Sequence, residues 1–377
     1  MKSSAIALVA LLLVGSTGCL ALDAVERLPT VYTTEDGIDF QVELIAQGLQ
    51  VPWDMEFTAA GDLIITERAG RLLLFSANGE RRVLDHLPQV LTRGESGLMG
   101  LALHSESRDQ TFIYLCYSEQ KGLFGVKNQL IKALLGRFGL LQETELLSWP
   151  GDRFHNGCQV AIGPDQKLYV TTGDATEGEL AQQQNSLLGK VLRLELDGSV
   201  PADNPWPGSY LYATGLRNPQ GLAWHPFTGQ LYSVDHGPSG FDGERGGDEL
   251  NRIHPGGNYG WPLVSHGQRR PDLINPQLIW ADSVAPAGLV AYSGDQLPGM
   301  KNNLFITALA GKALIRVVLD SAGAPLAREE LLKGQFGRLR AIAQGPDGHL
   351  YLATSNRDGR ADPAQADDLL LRLVIAE

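Results

Sequence analysis

One phrase recurs along this chain and constrains its fold more than any other feature. A turn rich in Pro, Asp and Gly runs into a short strand of β-branched and aromatic residues. The plainest copies are residues 163–174 (GPDQKLYVTTGD), 345–356 (GPDGHLYLATSN) and 225–237 (HPFTGQLYSVDHG). Looser copies occupy 59–72, 103–118 and 298–312. Each reads as a tight turn feeding a strand. The six copies start roughly 57 residues apart, which leaves room for about four strands in each unit. One such unit cannot bury both faces of its sheet, so neighbours must stack. The expectation is an all-β, six-bladed β-propeller with four-stranded antiparallel blades over residues 36–377. The plainer alternative is a pair of stacked β-sandwiches. In a propeller the innermost strands line a channel, and loops at one end form a concave site. The extra length of this chain falls mainly in residues 235–282. Residues 121–135 (KGLFGVKNQLIKALL) break the pattern: they have a helical look where an outer strand of the second blade belongs.

Composition supports this reading and excludes others. Gly at 44 and Pro at 20 of 377 residues make a turn-rich chain, against a helix bundle. The net charge of −12 disfavours nucleic acid as a partner. Residues 1–18 (MKSSAIALVALLLVGSTG) have the short basic start and the apolar run of an export signal. Two processing routes fit. Ser16-Thr17-Gly18-Cys19 has the form of a lipobox that would put a lipid anchor on Cys19, and ordinary cleavage after Ala21 is the rival. Residues 19–35 are expected as a linker, and the chain as exported to a periplasm, free or lipid-anchored. Cys116 and Cys158 fall in expected strands. In an oxidising compartment they can pair, but two buried free thiols are the commoner fate of strand cysteines and are the expectation.

Four places carry candidate chemistry. His155, in FHNGC, stands at a loop end as a candidate general base. Asp174 follows the next strand and can return to the same rim to hold one ring nitrogen. Arg217 and Asn218, in GLRNPQG, would present a charged fork and an amide to the channel. The stretch with Gly237-Pro238, Asp248-Glu249 and Tyr259 offers carbonyl and carboxylate oxygens of the kind Ca²⁺ takes. Arg338 and Arg340 alternate on one strand face, where paired positive charge suits an anionic ligand. Each has a plainer reading: a loop His in an ordinary hydrogen bond, an Arg on loop carbonyls, a solvated acidic pair, two rim arginines. No phosphate-binding loop, dinucleotide fingerprint or nucleophile elbow is present.

Taken in order, PWDMEF, GESGLMGLALH, HNG, GPDQKLYVTTGD, NSLLGKVLRL, GLRNPQGLAWHP, HGP, GDELN, GGNYGWP, APAGL and GRLRAI resemble the soluble sugar dehydrogenases that use pyrroloquinoline quinone (PQQ). This is the glucose/sorbosone dehydrogenase family, and the resemblance spans about residues 40–375. It implies an oxidoreductase that oxidises an aldose or related alcohol, with PQQ and Ca²⁺ as cofactors and a quinone or cytochrome as acceptor. It also implies roles: His155 as the base, Asp174 as its orienter, and Arg217 and Asn218 beside cofactor and substrate. Gly237 and Pro238 would supply carbonyls to Ca²⁺, and Arg338 and Arg340 would hold the cofactor carboxylates. Three positions depart from the family pattern. The cofactor-binding Lys falls on Ala310, with Lys312 two positions along. The acid before the base falls on Phe154, and a Gln of the GESGLMG region is Glu95, which could instead help hold metal. Two other functions remain open at this level: a non-redox propeller acting as a binding or scaffold lipoprotein, and a Ca²⁺-dependent, lactonase-like hydrolase.

Overall fold

The computed structural model describes Leu22 and residues 26–376, apart from 78, 88, 108 and 109. The expected export signal and Cys19 lie outside the described residues. Each of the six sheets contains a four-stranded antiparallel meander. Blade one is Pro52–Phe57, Leu63–Glu67, Arg71–Phe75 and Arg81–His86. Blade two is Leu98–Ser107, Gln110–Lys121, Gly125–Leu135 and Leu140–Gly151. Blade three is Gly157–Ile162, Leu168–Thr172, Lys190–Leu194 and Leu211–Thr214, and blade four is Pro219–Trp224, Leu231–Asp235, Asp248–Ile253 and Leu278–Trp280. Blade five is Pro286–Ala291, Leu304–Ala308, Ala313–Leu319 and Pro325–Leu331. Blade six takes Leu339–Gln344, Leu350–Thr354 and Leu370–Ile375 from the C-terminal end. Its outer strand, Asp39–Ala46, comes from the other end of the chain, with Leu373 opposite Val42. This pairing closes the ring. Each innermost strand packs on the next, and the sixth on the first. Glu26–Arg27 and Tyr32–Thr33 also pair with Asp39–Ala46, so part of the expected linker is sheet.

The recurring phrase marks the turn from the innermost strand to the second strand in each blade. The second strands of blades one, three, four, five and six are buried throughout. A strand sandwiched between two neighbouring blades needs apolar side chains on both faces, which explains why these runs do not alternate. The cores therefore lie between blades. Ile64, Leu72 and Leu74 of blade one meet Leu98, Ile113 and Leu115 of blade two. Glycine permits the closest inter-blade approach: a Cβ on Gly100 would stand 2.2 Å from the Cys158 carbonyl oxygen. On the side away from the mouth the channel holds Asp54 and Glu56, whose carboxyls burial pushes up to about 6 and about 8.

One stretch left unassigned is settled, and one expectation is corrected. The helical-looking stretch is a strand: Gly125–Leu135 has Leu130 opposite Cys116 on one side and Leu147 on the other. Partners on both edges outweigh the helix propensity of its Lys, Leu and Ala residues. Cys116 and Cys158 are bonded to each other, with Cα atoms 5.6 Å apart. The second strand of blade two and the innermost strand of blade three face each other there, which the linear sequence does not display. The bridge closes 42 residues, and chain-entropy reasoning gives it a worth of about 4 kcal/mol. A Cys116→Ser/Cys158→Ser double variant is expected to lose about that much unfolding free energy in denaturant titration. A loss below about 0.5 kcal/mol would show that the unfolded chain is not the state the bridge constrains.

Candidate active site

Every innermost strand slips register at its beginning. The shifts fall between Pro52 and Asp54, Leu98 and Leu101, Gly157 and Val160, Pro219 and Gly221, Pro286 and Leu289, and Leu339 and Ala341. A bulge re-aims the side chains beside it, and here it turns them into one end of the channel. Three buried threonines stabilise the bulges. Thr66, Thr171 and Thr307 each accept the freed N–H of their own blade (Asp54, Gln159, Gly288). Each hydroxyl then donates to a carbonyl of the next blade's innermost strand: Met99, Pro219 and Arg340. The six strand starts at the mouth are thus locked in three neighbouring pairs.

His155 enters from the loop between blades two and three with φ of +56°. Its N–H donates to Glu95 Oε2 at 3.1 Å, and its carbonyl accepts Ala175 N–H at 3.1 Å. A Cβ on Gly173 would stand 1.9 Å from that carbonyl oxygen, so glycine is needed there. The imidazole is 3% exposed. Its Nδ1 lies 2.8 Å from Asp174 Oδ1. Asp174 Oδ1 also accepts Thr176 N–H, and Oδ2 accepts the Trp261 indole N–H at 2.8 Å. Arg217 Nη2 lies 2.9 Å from His155 Nε2. A guanidinium only donates, so Nε2 accepts and the ring proton sits on Nδ1, donated to Asp174. In this tautomer Asp174 holds Nδ1 and the Nε2 lone pair faces Arg217.

Arg217 is 2% exposed, with Nε donating to Asp242 Oδ2 at 2.7 Å and Nη1 to His236 O at 3.3 Å. The backbone of Arg217 and Asn218 is clamped by Asp235, whose carboxylate accepts both N–H groups at 2.9 and 2.6 Å. Burial pushes that carboxyl up to about 6, against the two N–H bonds that hold it down. Asn218 Oδ1 accepts Gly157 N–H and Gln220 Nε2, so the amide braces the base loop.

Beside the base lies a cleft of about 540 Å³. Four guanidiniums line it: Arg68, Arg338, Arg340 and Arg360. Two of them face carboxylates. Arg338 pairs with Asp358 at 2.7 Å and Arg360 with Glu95 at 2.8 Å. Burial alone would raise the Glu95 carboxyl, but Arg360, His236 and His155 outweigh it and pull it down to about 2. Arg340 has no carboxylate partner among the described residues. It donates to Gln220 Oε1 at 3.0 Å, lies over the Trp53 ring at 4.2 Å, and keeps a buried Nε without a partner. Burial, with Arg68 and Arg338 nearby, presses its guanidinium down to about 9. Arg68 is lowered as well, by burial and by Arg360. Positive charge here exceeds what the chain itself neutralises.

The other expected residues are placed as follows. Gly237 and Pro238 line a smaller recess next to Arg217, and the Pro238 carbonyl accepts Gly246 N–H at 3.1 Å. Asp248 is spent on the backbone: Oδ1 accepts Gly237 N–H, and Oδ2 accepts Val284 and Ala285 N–H. Glu249 faces the recess, and burial together with Asp235 pushes its carboxyl up to about 8. The Tyr259 hydroxyl donates to Arg252 O and accepts His254 N–H. Asp248 and Tyr259 therefore hold neighbouring backbone in place. Among the described residues no group of three or more His, Cys, Asp or Glu stands together as a metal cage. Lys312 is exposed and does not line the cleft. The base, its orienter, Arg217, Asn218, Glu95, Arg338 and Arg340 do converge. Arg68, Arg360, Asp358, Gln220, Trp53 and His236 join them and were not singled out from sequence.

The Glucose / Sorbosone dehydrogenase family model matches residues 49–372. An aldose sugar dehydrogenase of Escherichia coli K12 is 30% identical over 348 residues, covering 84% of this chain and 91% of that protein. A putative glucose dehydrogenase structure from Thermus thermophilus superposes with a TM-score of 0.81 at 41% identity, covering 89% of this chain and all of that one (100%). The PQQ-bound aldose sugar dehydrogenase of Streptomyces coelicolor gives a TM-score of 0.78 at 32% identity, over 89% and 98% of the two chains. A family match over most of the chain, and relatives of that family aligned almost end to end, mean that the chain belongs to the glucose/sorbosone dehydrogenase family.

Proposed function

We propose that this protein is an exported quinoprotein that oxidises an aldose at a hydroxyl-bearing carbon, with His155 as general base. The observation that carries the reading is one juxtaposition. An imidazole, its Nδ1 tied to Asp174 and its Nε2 accepting from Arg217, stands beside a cleft whose guanidiniums are not fully paired. PQQ is a flat tricarboxylate, and the orphaned Nε of Arg340 fits such a ligand better than it fits water.

On this reading Arg340, Arg68 and Arg338 hold the cofactor carboxylates, and Trp53 forms one wall. The Gly237 and Pro238 carbonyls are the hard oxygens this chain offers to calcium. Bound PQQ, polarised by calcium, supplies the acceptor for a hydride from the substrate carbon. The protein's own work is proton handling and orientation. The substrate hydroxyl takes the place of Arg217 Nη2 at His155 Nε2 and gives that nitrogen its proton as the C–H bond breaks. Asp174 stabilises the imidazolium through Nδ1, and the Trp261 and Thr176 N–H groups keep the carboxylate fixed. A ring-form aldose oxidised in this way leaves as a lactone. Two electrons leave with the hydride, and a quinone or cytochrome would collect them. The basic, apolar leader at residues 1–18 supports export, and Ser16-Thr17-Gly18-Cys19 supports a lipid anchor in a periplasm.

The test is reconstitution. Purified protein given PQQ and Ca²⁺ is expected to reduce a redox dye with at least one aldose from a panel. Absence of both dye reduction and cofactor uptake would favour a binding or scaffold role. Lactone hydrolysis that needs Ca²⁺ but not PQQ would favour the hydrolase.

A further inference from the structure

The segment 237–247 leaves blade four at the mouth, folds back and rejoins it at Asp248. Its middle is pinned to Arg217 from both sides. Ser239 N–H donates to Asp242 Oδ1 at 2.9 Å, closing the turn. Ser239 Oγ accepts Arg217 Nη2 at 3.0 Å, and Asp242 Oδ2 accepts Arg217 Nε at 2.7 Å. Between these anchors stands Phe241. Its ring lies nearly parallel to the His155 imidazole, at 19° with centroids 5.7 Å apart, yet the residue is 64% exposed. Other exposed aromatic residues, such as Phe124, Phe138 and Phe227, occupy turn positions without a ring contact to the base. At Phe241, in contrast, a tight turn, a hydroxyl and a carboxylate hold a solvent-facing ring flush with the base.

We propose that Phe241 is a specificity-determining residue: its ring is the wall on which the apolar C–H face of a ring-form aldose lies while a sugar hydroxyl meets His155 Nε2. The inference rests on the reading above and adds to it the class of sugar. An aromatic face carries partial negative charge and attracts the polarised C–H bonds of a flat ring, besides removing apolar area from water. A pyranose presents such a face, whereas an open-chain polyol has none of fixed shape. The wall explains why a large apolar side chain is kept in water beside a buried base. It also makes the neighbouring Ser239 and Asp242 the supports that fix its position.

The experiment compares Phe241→Ala, Phe241→Leu, Phe241→Tyr and wild type, each loaded with PQQ and Ca²⁺, on aldopyranoses that wild type oxidises. Cofactor affinity is measured in parallel by absorbance titration. Phe241→Ala is expected to raise KM about tenfold, with kcat and cofactor affinity within about twofold. Phe241→Tyr is expected to restore the wild-type KM, and Phe241→Leu to fall between. An unchanged KM in Phe241→Ala overturns the wall while leaving the dehydrogenase reading intact. A fall in kcat at constant KM also overturns it, because Phe241 would then be positioning the imidazole rather than the sugar. Wild type inert towards every aldose overturns the dehydrogenase reading, and the wall with it.

Discussion

Replacing His155 by alanine is expected to lower kcat by about 10²–10⁴ while leaving cofactor uptake within a few-fold of wild type, the range a positioned general base contributes. The geometry fixes the sign of each part. Nε2 is the acceptor nitrogen of a ring whose other nitrogen is tied to Asp174, and the Arg217 guanidinium that donates to it cannot accept a proton. Without the imidazole, proton removal falls to water or hydroxide, so the residual rate should climb with pH. Cofactor uptake should persist because Arg68, Arg338 and Arg340 approach the cleft from blades one and six rather than from the base loop. Alanine would have to adopt the φ of +56° that His155 adopts, which adds a backbone cost unrelated to chemistry. His155→Asn separates the two effects, since Asn tolerates that region and its amide is no base. Both variants are expected to bind cofactor and to be equally slow. Turnover near wild type in His155→Asn would remove the imidazole from the mechanism.

The fold was legible because the turn-and-strand phrase is local, and a local signal repeated six times specifies stacking without any knowledge of long-range contacts. Residues 121–135 were not legible for the complementary reason: their strand pairing is set by residues 110–121 and 140–151, on the far sides of two turns. The disulfide was underrated on similar grounds, because the meeting of blades two and three has no trace in the spacing of two cysteines.

The site was half legible. His155, Asp174, Arg217 and Asn218 lie in short motifs with a chemical reading, whereas Trp53 in PWDMEF and His236 in HGP drew no role from theirs and Arg68 has no motif beyond the repeat itself. A signal for them did exist. The first residue after the second strand lines the cleft in blades one, four, five and six, as Arg68, His236, Leu309 and Ser355. The second residue of the innermost strand does so in blades one, two, four and six, as Trp53, Met99, Gln220 and Arg340. Reading the six copies in register would have picked out both rows. Asp248 and Tyr259 show the limit of such motifs, because an acid or a phenol reads the same in sequence whether it meets a cation or a neighbouring backbone amide.

Arg340→Met is expected to separate binding from stability, with opposite signs. In the free protein the Arg340 side chain is half-buried, lacks a carboxylate partner among the described residues and has an Nε that is shut off from solvent and unpartnered. Its pKa is pressed from the ordinary guanidinium value down to about 9, so folding takes a charge out of water without full compensation. The sign follows from linkage. Between about 9 and the ordinary guanidinium value the native state holds fewer protons than the unfolded chain, so stability rises with pH there. Below about 9 both states are charged, and the cost is constant across the neutral range. Methionine keeps most of the volume and the contact with Trp53 while removing the charge. The cofactor-free variant is therefore expected to be at least as stable as wild type, and more stable by about 1 kcal/mol or more if neighbouring side chains repack. Cofactor affinity should move the other way. A carboxylate that loses a buried guanidinium partner forfeits about 2–5 kcal/mol, a weakening of about 30-fold or more in Kd. Arg340→Lys should fall between, since an ammonium keeps the charge but loses the planar fork and its stacking on Trp53. Denaturant unfolding of the cofactor-free proteins and absorbance titration with PQQ measure the two quantities independently. A variant that is destabilised by several kcal/mol and still binds PQQ with wild-type affinity would make Arg340 a structural cation, and the uncompensated charge of the cleft would lose its meaning as a binding site.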